Sequence, residues 1–254
     1  MIHTIVTITS LSWVANQICV AKFRSAEIAQ NAVPGQFLNI KVHDFCEPLL
    51  RRPYSISQID GDVLAILFGV VSKGTTILSK KEVGDTLDII GPLGKGYNLE
   101  GDFETAILVG GGVGVAPFPF LNTELKKRGK EILNFVGARR ADQLVTIGLD
   151  NAIVATDDGS VGYHGTVVDC LKDYLAQHQV IQPRIFACGP NVMLKALSEF
   201  TRRAEIPCEM SLESAMACGI GICQGCPIEA ADNDKKYYLV CKDGPVFDAE
   251  SVVL

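Results

Sequence analysis

The sequence predicts a multidomain β + α/β protein: an antiparallel β-barrel, then a parallel-sheet α/β domain, then a small C-terminal module. Three observations predict it. Up to about residue 99 the chain runs in short β-patterned segments parted by Gly, Pro and Asp. From 100 to about 206 strand-like and helix-like segments alternate, and beyond that the alternation stops and cysteines crowd together. A chain of 254 residues accommodates two ordinary domains and a small third. The expected boundaries are 1–99, 100–206 and 207–254.

In the first region Ile2–Ile8, Gln17–Lys22, Gln36–Val42, Tyr54–Gln58, Val63–Val71 and Thr86–Ile90 read as strands. Several short strands at such spacing suggest a closed or nearly closed barrel, and helical patterning is scarce there. In the second region the strand Ala106–Val109 meets Gly110–Gly112, and a helix is expected over Pro117–Arg128. Strands at Glu131–Val136, Ala152–Thr156 and Arg184–Ala187 alternate with helices at Ala141–Gly148, Gly165–Gln177 and Asn191–Arg203. That alternation means a parallel sheet covered on both faces, whose ligands bind at the carboxyl ends of the strands. The loops 110–116, 137–140, 157–164 and 188–191 are therefore the candidate binding loops. In the third region a Gly- and Cys-rich loop precedes a strand at Tyr237–Cys241 and an acidic tail. Fewer than about 50 residues do not readily bury a core of their own, so this segment needs a staple.

Charge and composition narrow the function. With 29 acidic against 23 basic side chains and a net charge of −6, no general cationic surface exists for nucleic acid or an anionic membrane. Apolar residues make up 48%, enough for real cores. MIHTIVTITSLSW alternates like a strand and has no basic leader. The most apolar stretch, Ala106 to Leu121, is glycine-punctuated and shorter than the roughly 20 residues a membrane-spanning helix needs. A soluble cytoplasmic protein is expected. Nine cysteines, an odd number with four of them in 218–241, read as reduced thiols rather than a disulfide framework.

Cys218, Cys223 and Cys226 have the spacing C-x4-C-x2-C, and Cys241 follows after fourteen residues. This is the plant-type [2Fe–2S] spacing, in which three thiolates converge from one tight loop and the fourth arrives from elsewhere. Gly219, Gly221 and Gly225 relieve the winding and let N–H groups reach the sulfurs. Structural zinc is the alternative, but only the 223/226 pair has zinc-like spacing and no His lies between 218 and 241. Cys19, Cys46, Cys170, Cys188 and Cys208 are expected to be buried small hydrophobes, with only Cys188 placed for more.

Gly110, Gly111, Gly112 and Gly114 follow a strand and open a helix, so their backbone can approach a pyrophosphate at the positive helix end. The stretch is not G-x-G-x-x-G, and Arg139-Arg140 stands where a ribose-binding acid would end the second strand. Glycines needed only for tight strand–helix packing remain an alternative. Cys188, Gly189 and Pro190 end another parallel strand and should lie beside the first turn. Asp157-Asp158-Gly159-Ser160 could contact a ribose or simply form an Asx turn. In the barrel, Arg52, Pro53, Tyr54 and Ser55 combine a cation, an aromatic ring and a hydroxyl on one strand, and alternation puts Arg52 and Tyr54 on one face. An ordinary barrel edge has the same pattern. Gly74 and Thr75 belong to a stretch with the glycine and hydroxyls of a phosphate turn, or of a plain one.

Together RRPYSIS (51–57), KGTT (73–76), GPLGKGY (91–97), GGGVGVAP (110–117), TDDGS (156–160), ACGP (187–190), SLESAMACGIGICQGC (211–226) and VCKDGPVF (240–247) resemble the ferredoxin–NADP reductase superfamily. Within it they resemble the electron-transfer subunits of class 1B dihydroorotate dehydrogenases, over nearly the whole chain. The resemblance implies FAD in the barrel, with Arg52 on its phosphates, Tyr54 and Ser55 near the isoalloxazine, and Gly74 and Thr75 at the pyrophosphate. Leu67, Phe68 and Gly69 would line the flavin, although Gly69 departs from the arginine expected there and Tyr54 fits the superfamily better than this subunit type. NAD would use the turns at 110–114 and 188–190, with Cys188 near the nicotinamide.

A hydride carries two electrons and a [2Fe–2S] centre takes one, so a flavin between them is required by valence. No segment is large enough for a separate substrate domain. The resemblance names the partner as a flavin-containing dihydroorotate dehydrogenase catalytic subunit, in a heterotetramer of two subunits of each kind serving pyrimidine synthesis. A reductase subunit of another flavin and iron–sulfur assembly, of sulfhydrogenase or transhydrogenase type, is a second reading. A zinc-stapled nucleotide-binding regulator is a third.

Overall fold

The structure, a computed structural model, describes residues 1–254 except Asp44, Cys46 and 232–234. The expectation for Cys46 therefore lies outside the described residues.

The first region forms β1 (Ile2–Ala15), β2 (Ile18–Arg24), α1 (Ala26–Asn31), β3 (Phe37–Lys41), β4 (Arg52–Asp60), β5 (Val63–Gly69), α2 (Lys73–Ser79) and β6 (Thr86–Leu93). The six strands close into a barrel in the order β1-β2-β5-β4-β3-β6, every neighbouring pair antiparallel. β1 is long because its first half pairs with β6 and its second half with β2. Alternation sends Leu38 and Ile40 of β3 into the barrel core with Phe23, Ile56, Ile66 and Ile89, all fully buried. Each such side chain stabilises the fold by roughly 1.5–3 kcal/mol. The opposite face of β3 presents Phe37 and Asn39, which are also buried, against the rest of the molecule. Two short helices appear where little helix is expected. α1 is capped by Ser25, whose Oγ accepts from the Ile28 N–H, and α2 starts within the stretch expected as a turn.

Arg51 binds Asp88 at 2.8 Å, and His3 meets the same carboxylate at 2.7 Å, tying β4 to β6 and β1. Burial alone would raise the Asp88 carboxyl, but Arg51 and His3 outweigh it and hold it below its ordinary value. A depressed folded-state pKa stabilises the barrel above the unfolded value, near 3.9, and that contribution disappears as pH falls through the folded value. Asp88→Asn is therefore expected to lower the melting temperature at pH 7 and to flatten its dependence on pH below about 4. Thermal scans from pH 3 to 7 check this; parallel curves for the two proteins would refute it.

The remaining elements are β7 (Thr105–Gly111), α3 (Phe118–Lys127), β8 (Glu131–Ala138), β9 (Ile153–Thr156), β10 (Tyr163–His164), α4 (Val167–Gln177), β11 (Pro183–Cys188), α5 (Asn191–Ala204) and β12 (Cys208–Ser211). They are followed by β13 (Pro227–Glu229), β14 (Tyr237–Leu239), α6 (Val240–Asp243) and β15 (Val246–Asp248). One sheet runs β10-β9-β8-β7-β11-β12-β15, parallel throughout except that β15 returns antiparallel to β12. The expected boundary between 206 and 207 thus falls ahead of two strands that complete this sheet.

Two expected elements are corrected. Ala141–Gly148 is not a helix; only Ala141–Gln143 makes a single 3-10 turn. The β-branched run Val145-Thr146-Ile147 has poor helix propensity, and Gly148 at φ +72° turns the chain. The strand expected over Tyr237–Cys241 ends at Leu239, where the backbone N–H is taken by the Asp243 carboxylate at 2.8 Å and α6 begins. Cys241 therefore sits on a helical turn.

The regions share their cores. Phe37 of the barrel packs in one cluster with Val109, Ile185, Cys226 and Cys241, while Ile18, Val20 and Leu67 pack with Val115 and Phe186. Tyr97, just after β6, is buried and donates to the Ala187 carbonyl at 3.1 Å. Among the described residues no helix is long and apolar enough to cross a membrane.

Candidate functional site

A cleft of about 390 Å³ opens where barrel, sheet and C-terminal segment meet. One wall is Pro53, Tyr54 and Ser55 from β4 with Leu67, Phe68 and Gly69 from β5; Thr75 lies at its edge. The other wall is Val113 and Ala116 after β7, Cys188 at the end of β11, and the stretch after β12 from Ser211 to Met216. Sequence reasoning placed eight of these residues, Pro53, Tyr54, Ser55, Leu67, Phe68, Gly69, Thr75 and Cys188, at the site. It missed Phe37, Ser211, Leu212, Glu213, Ser214, Met216 and Pro245. Ser211 to Met216 and Pro245 lie within the stretches SLESAMACGIGICQGC and VCKDGPVF, whereas Phe37 carries no local signal; what brings Ser211 here is the parallel register that sets it opposite Cys188.

Tyr54 is buried with its hydroxyl unpaired, its ring edge-on to Phe68 at 5.7 Å, and burial raises its phenol pKa. An orphaned O–H in an apolar cleft wall suits a planar group rimmed with hydrogen-bonding atoms, because an unpaired buried polar group otherwise costs free energy. The two neighbouring arginines differ. Arg51 is committed to Asp88, whereas Arg52 pairs with no carboxylate among the described residues and lies against Gly74, where an added Cβ would sit 3.3 Å from its Nε. Thr75 departs from expectation, since its Oγ1 accepts from the N–H groups of Val71 and Ser72 and donates to the Ser72 carbonyl, each at 3.0 Å. That hydroxyl builds the entry to α2. Only its backbone surroundings and Gly74 are left to face a phosphate.

The two glycine-containing turns abut as expected. A Cβ on Gly114 would lie 2.3 Å from the Cys188 carbonyl oxygen, and one on Gly189 would lie 3.1 Å from the Gly111 nitrogen. Gly110 is held by Val115 and Phe118, and Gly111 by Met193 and Pro190, so packing accounts for both. Gly112 is different: it has φ +56° and open space around it, as a backbone approached by a ligand requires. Asp158 accepts from the Ser160 N–H at 3.0 Å and hydroxyl at 2.6 Å, which is the Asx-turn alternative. Arg140 is paired with Asp142 at 2.6 Å.

The Cys188 thiol is buried and pushed up to about 12, chiefly by desolvation, with the Glu213 carboxylate adding to it. It stays a neutral thiol at physiological pH. Glu213, exposed at the cleft, is itself raised by desolvation. The other expected small hydrophobes Cys19, Cys170 and Cys208 are buried.

The four remaining sulfurs stand as two pairs. Cys226 Sγ lies 3.2 Å from Cys241 Sγ, and Cys218 bonds through its side chain to Cys223. Backbone donors surround them: Ile220 and Cys223 N–H point at Cys218 Sγ at 3.4 and 3.5 Å, Gly221 N–H at Cys241 Sγ at 3.1 Å, and Gly225 N–H at Cys223 Sγ at 3.4 Å. Burial works against a Cys218 thiolate, but the N–H groups of Cys223 and Ile220 outweigh it and bring the thiol down to about 6. Burial and the neighbouring Cys226 push Cys241 up to about 12. Once deprotonated, the two pairs would supply two irons with two ligands each, as a binuclear cluster requires.

A barrel with a largely apolar cleft, a parallel-sheet partner and an N–H-lined cysteine loop define a reductase of the ferredoxin–NADP reductase type with an iron–sulfur binding segment of its own. Residues 213–253 match the family described as the iron-sulfur cluster binding domain of dihydroorotate dehydrogenase B. The dihydroorotate dehydrogenase B (NAD(+)) electron transfer subunit of Geobacillus thermodenitrificans is 38% identical over 98% of this chain and 97% of its own. That of Desulforamulus reducens is 36% identical over 91% of each. Among solved structures, the NADH-dependent reduced ferredoxin-NADP oxidoreductase studied for flavin-based electron bifurcation superposes with a TM-score of 0.86 at 30% identity, over 98% of this chain and 89% of that one. A ferredoxin NADP+ reductase from Neisseria gonorrhoeae with bound FAD and NADP shares the fold, with a TM-score of 0.67 at 16% identity over 80% of this chain and 91% of that one. The chain belongs to the family of dihydroorotate dehydrogenase B electron transfer subunits.

Proposed function

We propose that this protein passes electrons between a dihydroorotate dehydrogenase catalytic subunit and NAD+ in pyrimidine biosynthesis, using FAD and a [2Fe–2S] cluster of its own. The observation that carries the reading is the placement of one cysteine pair, Cys226 and Cys241, in a shared core with Phe37, which also lines the cleft. FAD exchanges electrons either in pairs or singly and the cluster carries one at a time, so together they connect hydride chemistry to single-electron transfer.

The chain's own residues then have distinct tasks. Residues 1–99 hold FAD: Arg52 neutralises its phosphates beside Gly74 and Thr75, Tyr54 donates its unpaired hydroxyl, and Pro53, Ser55, Leu67, Phe68 and Gly69 wall the ring. Residues 100–206 hold NAD(H) at Gly110, Gly111, Gly112 and Gly114 and at Cys188, Gly189 and Pro190, with Gly112 the one of these glycines that has open space beside its Cα. Cys188 closes the cleft as an uncharged thiol, so it adds no negative charge of its own where the nicotinamide must enter. Within 207–254, Cys218, Cys223, Cys226 and Cys241 ligate the cluster. Electrons run from the partner through cluster and flavin to NAD+, in a cytoplasmic heterotetramer of two subunits of each kind.

Arg52→Ala is expected to weaken FAD binding about 10- to 100-fold, because a charge-assisted hydrogen bond contributes about 1.5–3 kcal/mol. Fluorescence titration of the apoprotein with FAD reads this, and unchanged affinity would remove Arg52 from the phosphate site. The reading as a whole is tested by anaerobic purification from native extract with assay of iron, sulfide, FAD and the bound partner. Flavin bands with a cluster shoulder and a co-purifying dihydroorotate dehydrogenase are expected. A colourless preparation with stoichiometric zinc would overturn it.

A further inference from the structure

β3 touches both halves of the electron path. Of its outward residues, Phe37 lines the cleft and Asn39, two positions on, reaches the cysteine loop. Asn39 is 1% exposed, and its Nδ2 donates to the Cys218 carbonyl at 3.0 Å. The next residue, Gly219, is pressed onto the same amide: a Cβ there would fall 2.5 Å from Nδ2. Gly219 also has φ +71°, so the loop reaches Asn39 in a conformation that suits glycine. The amide oxygen of Asn39 is buried without a partner, a cost the fold carries at this position although an apolar side chain would fit a barrel strand more cheaply. Among the described residues its side chain makes one polar contact in return, and it goes to the cysteine loop.

From this geometry we propose that Asn39 is the positioning residue that fixes the cluster loop against the flavin barrel. The proposal rests on the cofactor assignment above. It assigns no contact with the cluster itself: Asn39 acts through the Cys218 carbonyl and the packed Gly219, so that the loop's place is set by a strand whose neighbouring residue walls the cleft. The two residues stand 179 apart in sequence, and a hydrogen bond from the Asn39 amide spans that separation.

The test uses the full-length holoprotein, prepared anaerobically. Iron and sulfide in the unsubstituted protein check the cofactor assignment independently; if the cluster is absent there, that assignment fails rather than this one. With the cluster present, Asn39→Leu keeps the branched shape of the side chain and removes the donor. It is expected to raise amide hydrogen exchange at 218–222 about tenfold, equivalent to about 1.4 kcal/mol, and to change the EPR line shape and midpoint potential of the reduced cluster. Gly219→Ala strikes the same contact from the loop side and is expected to move the same signals. In an Asn39→Ala background the alanine at 219 has room, so its effect is expected to shrink to that of its backbone conformation. Unchanged exchange, line shape and potential in both single variants, or strictly additive effects in the double variant, would overturn the proposal. Should Asn39→Leu not fold, Gly219→Ala and the double variant decide the matter.

Discussion

Cys223→Ser is expected to remove the cluster and abolish electron delivery to the catalytic partner, while NADH still reduces FAD. Cys223 is the most exposed of the four sulfurs, and its side chain adds little to the apolar core, so the effect will come from ligation and not from packing. A serine hydroxyl is hardly ionised at neutral pH and a poor match for iron where a thiolate is required. Its loss leaves Cys218 without its pair partner and one iron with half its protein ligands. Because ligation and folding are linked, the segment from 213 to 245 should also lose several kcal/mol of local stability. Its own secondary structure is slight, two three-residue strands and one helical turn. The flavin wall formed by Tyr54, Leu67 and Phe68 belongs to the barrel and stays. Iron and sulfide analysis, EPR after reduction, and stopped-flow reduction of FAD by NADH separate the two halves. A variant with full iron content, or one that keeps FAD but can no longer reduce it with NADH, would contradict the assigned order of carriers.

The sequence carried the long-period information well. Strand runs spaced by turns gave the barrel, alternation of strand and helix gave the parallel sheet, and the cysteine spacing singled out the four sulfurs that the fold pairs. What it hid was set by contacts distant in the chain. α1 and α2 have six and seven residues, too short for periodicity, and exist because Ser25 and the Ser72–Thr75 box cap them. Ser211 and Glu213 reach the cleft through the register of β12 on β11, which no local pattern encodes. β15 returns to complete a sheet begun 140 residues earlier, because Val246 and Phe247 are buried there and an exposed edge on β12 is covered. Asn39 reads in sequence as an ordinary polar position between Leu38 and Ile40. Only the fold reveals that it faces the loop. The glycine-rich turn was ambiguous between packing and binding, and the structure divides it: Gly110, Gly111 and Gly114 are held by neighbours, whereas Gly112 is open.

That division makes Gly114→Ala the substitution expected to damage nucleotide use most. Gly114 is absent from the residues with positive φ, so alanine is conformationally acceptable and the whole effect must come from the contact. The added methyl would meet the Cys188 carbonyl oxygen at 2.3 Å and Gly189 Cα at 2.6 Å. These are backbone atoms, with no rotamer to relieve the overlap, so the turn after β7 and the turn after β11 must move apart. Overpacking of this kind costs about 1–3 kcal/mol, and the displaced pair would no longer present one crevice to a dinucleotide. A fall of about 10- to 100-fold in kcat/KM for NADH is expected, with a lowered melting temperature. FAD content should persist, because Arg52, Tyr54 and Gly74 belong to the barrel region and touch neither turn. Gly112→Ala is the informative companion: its methyl meets nothing within 4 Å, but φ +56° costs about 1–2 kcal/mol. If Gly112 is the backbone a ligand approaches, that methyl should raise KM for NADH more than it lowers the melting temperature, the reverse of the balance at Gly114. Wild-type NADH kinetics in Gly114→Ala would show that the two turns do not form the nucleotide site.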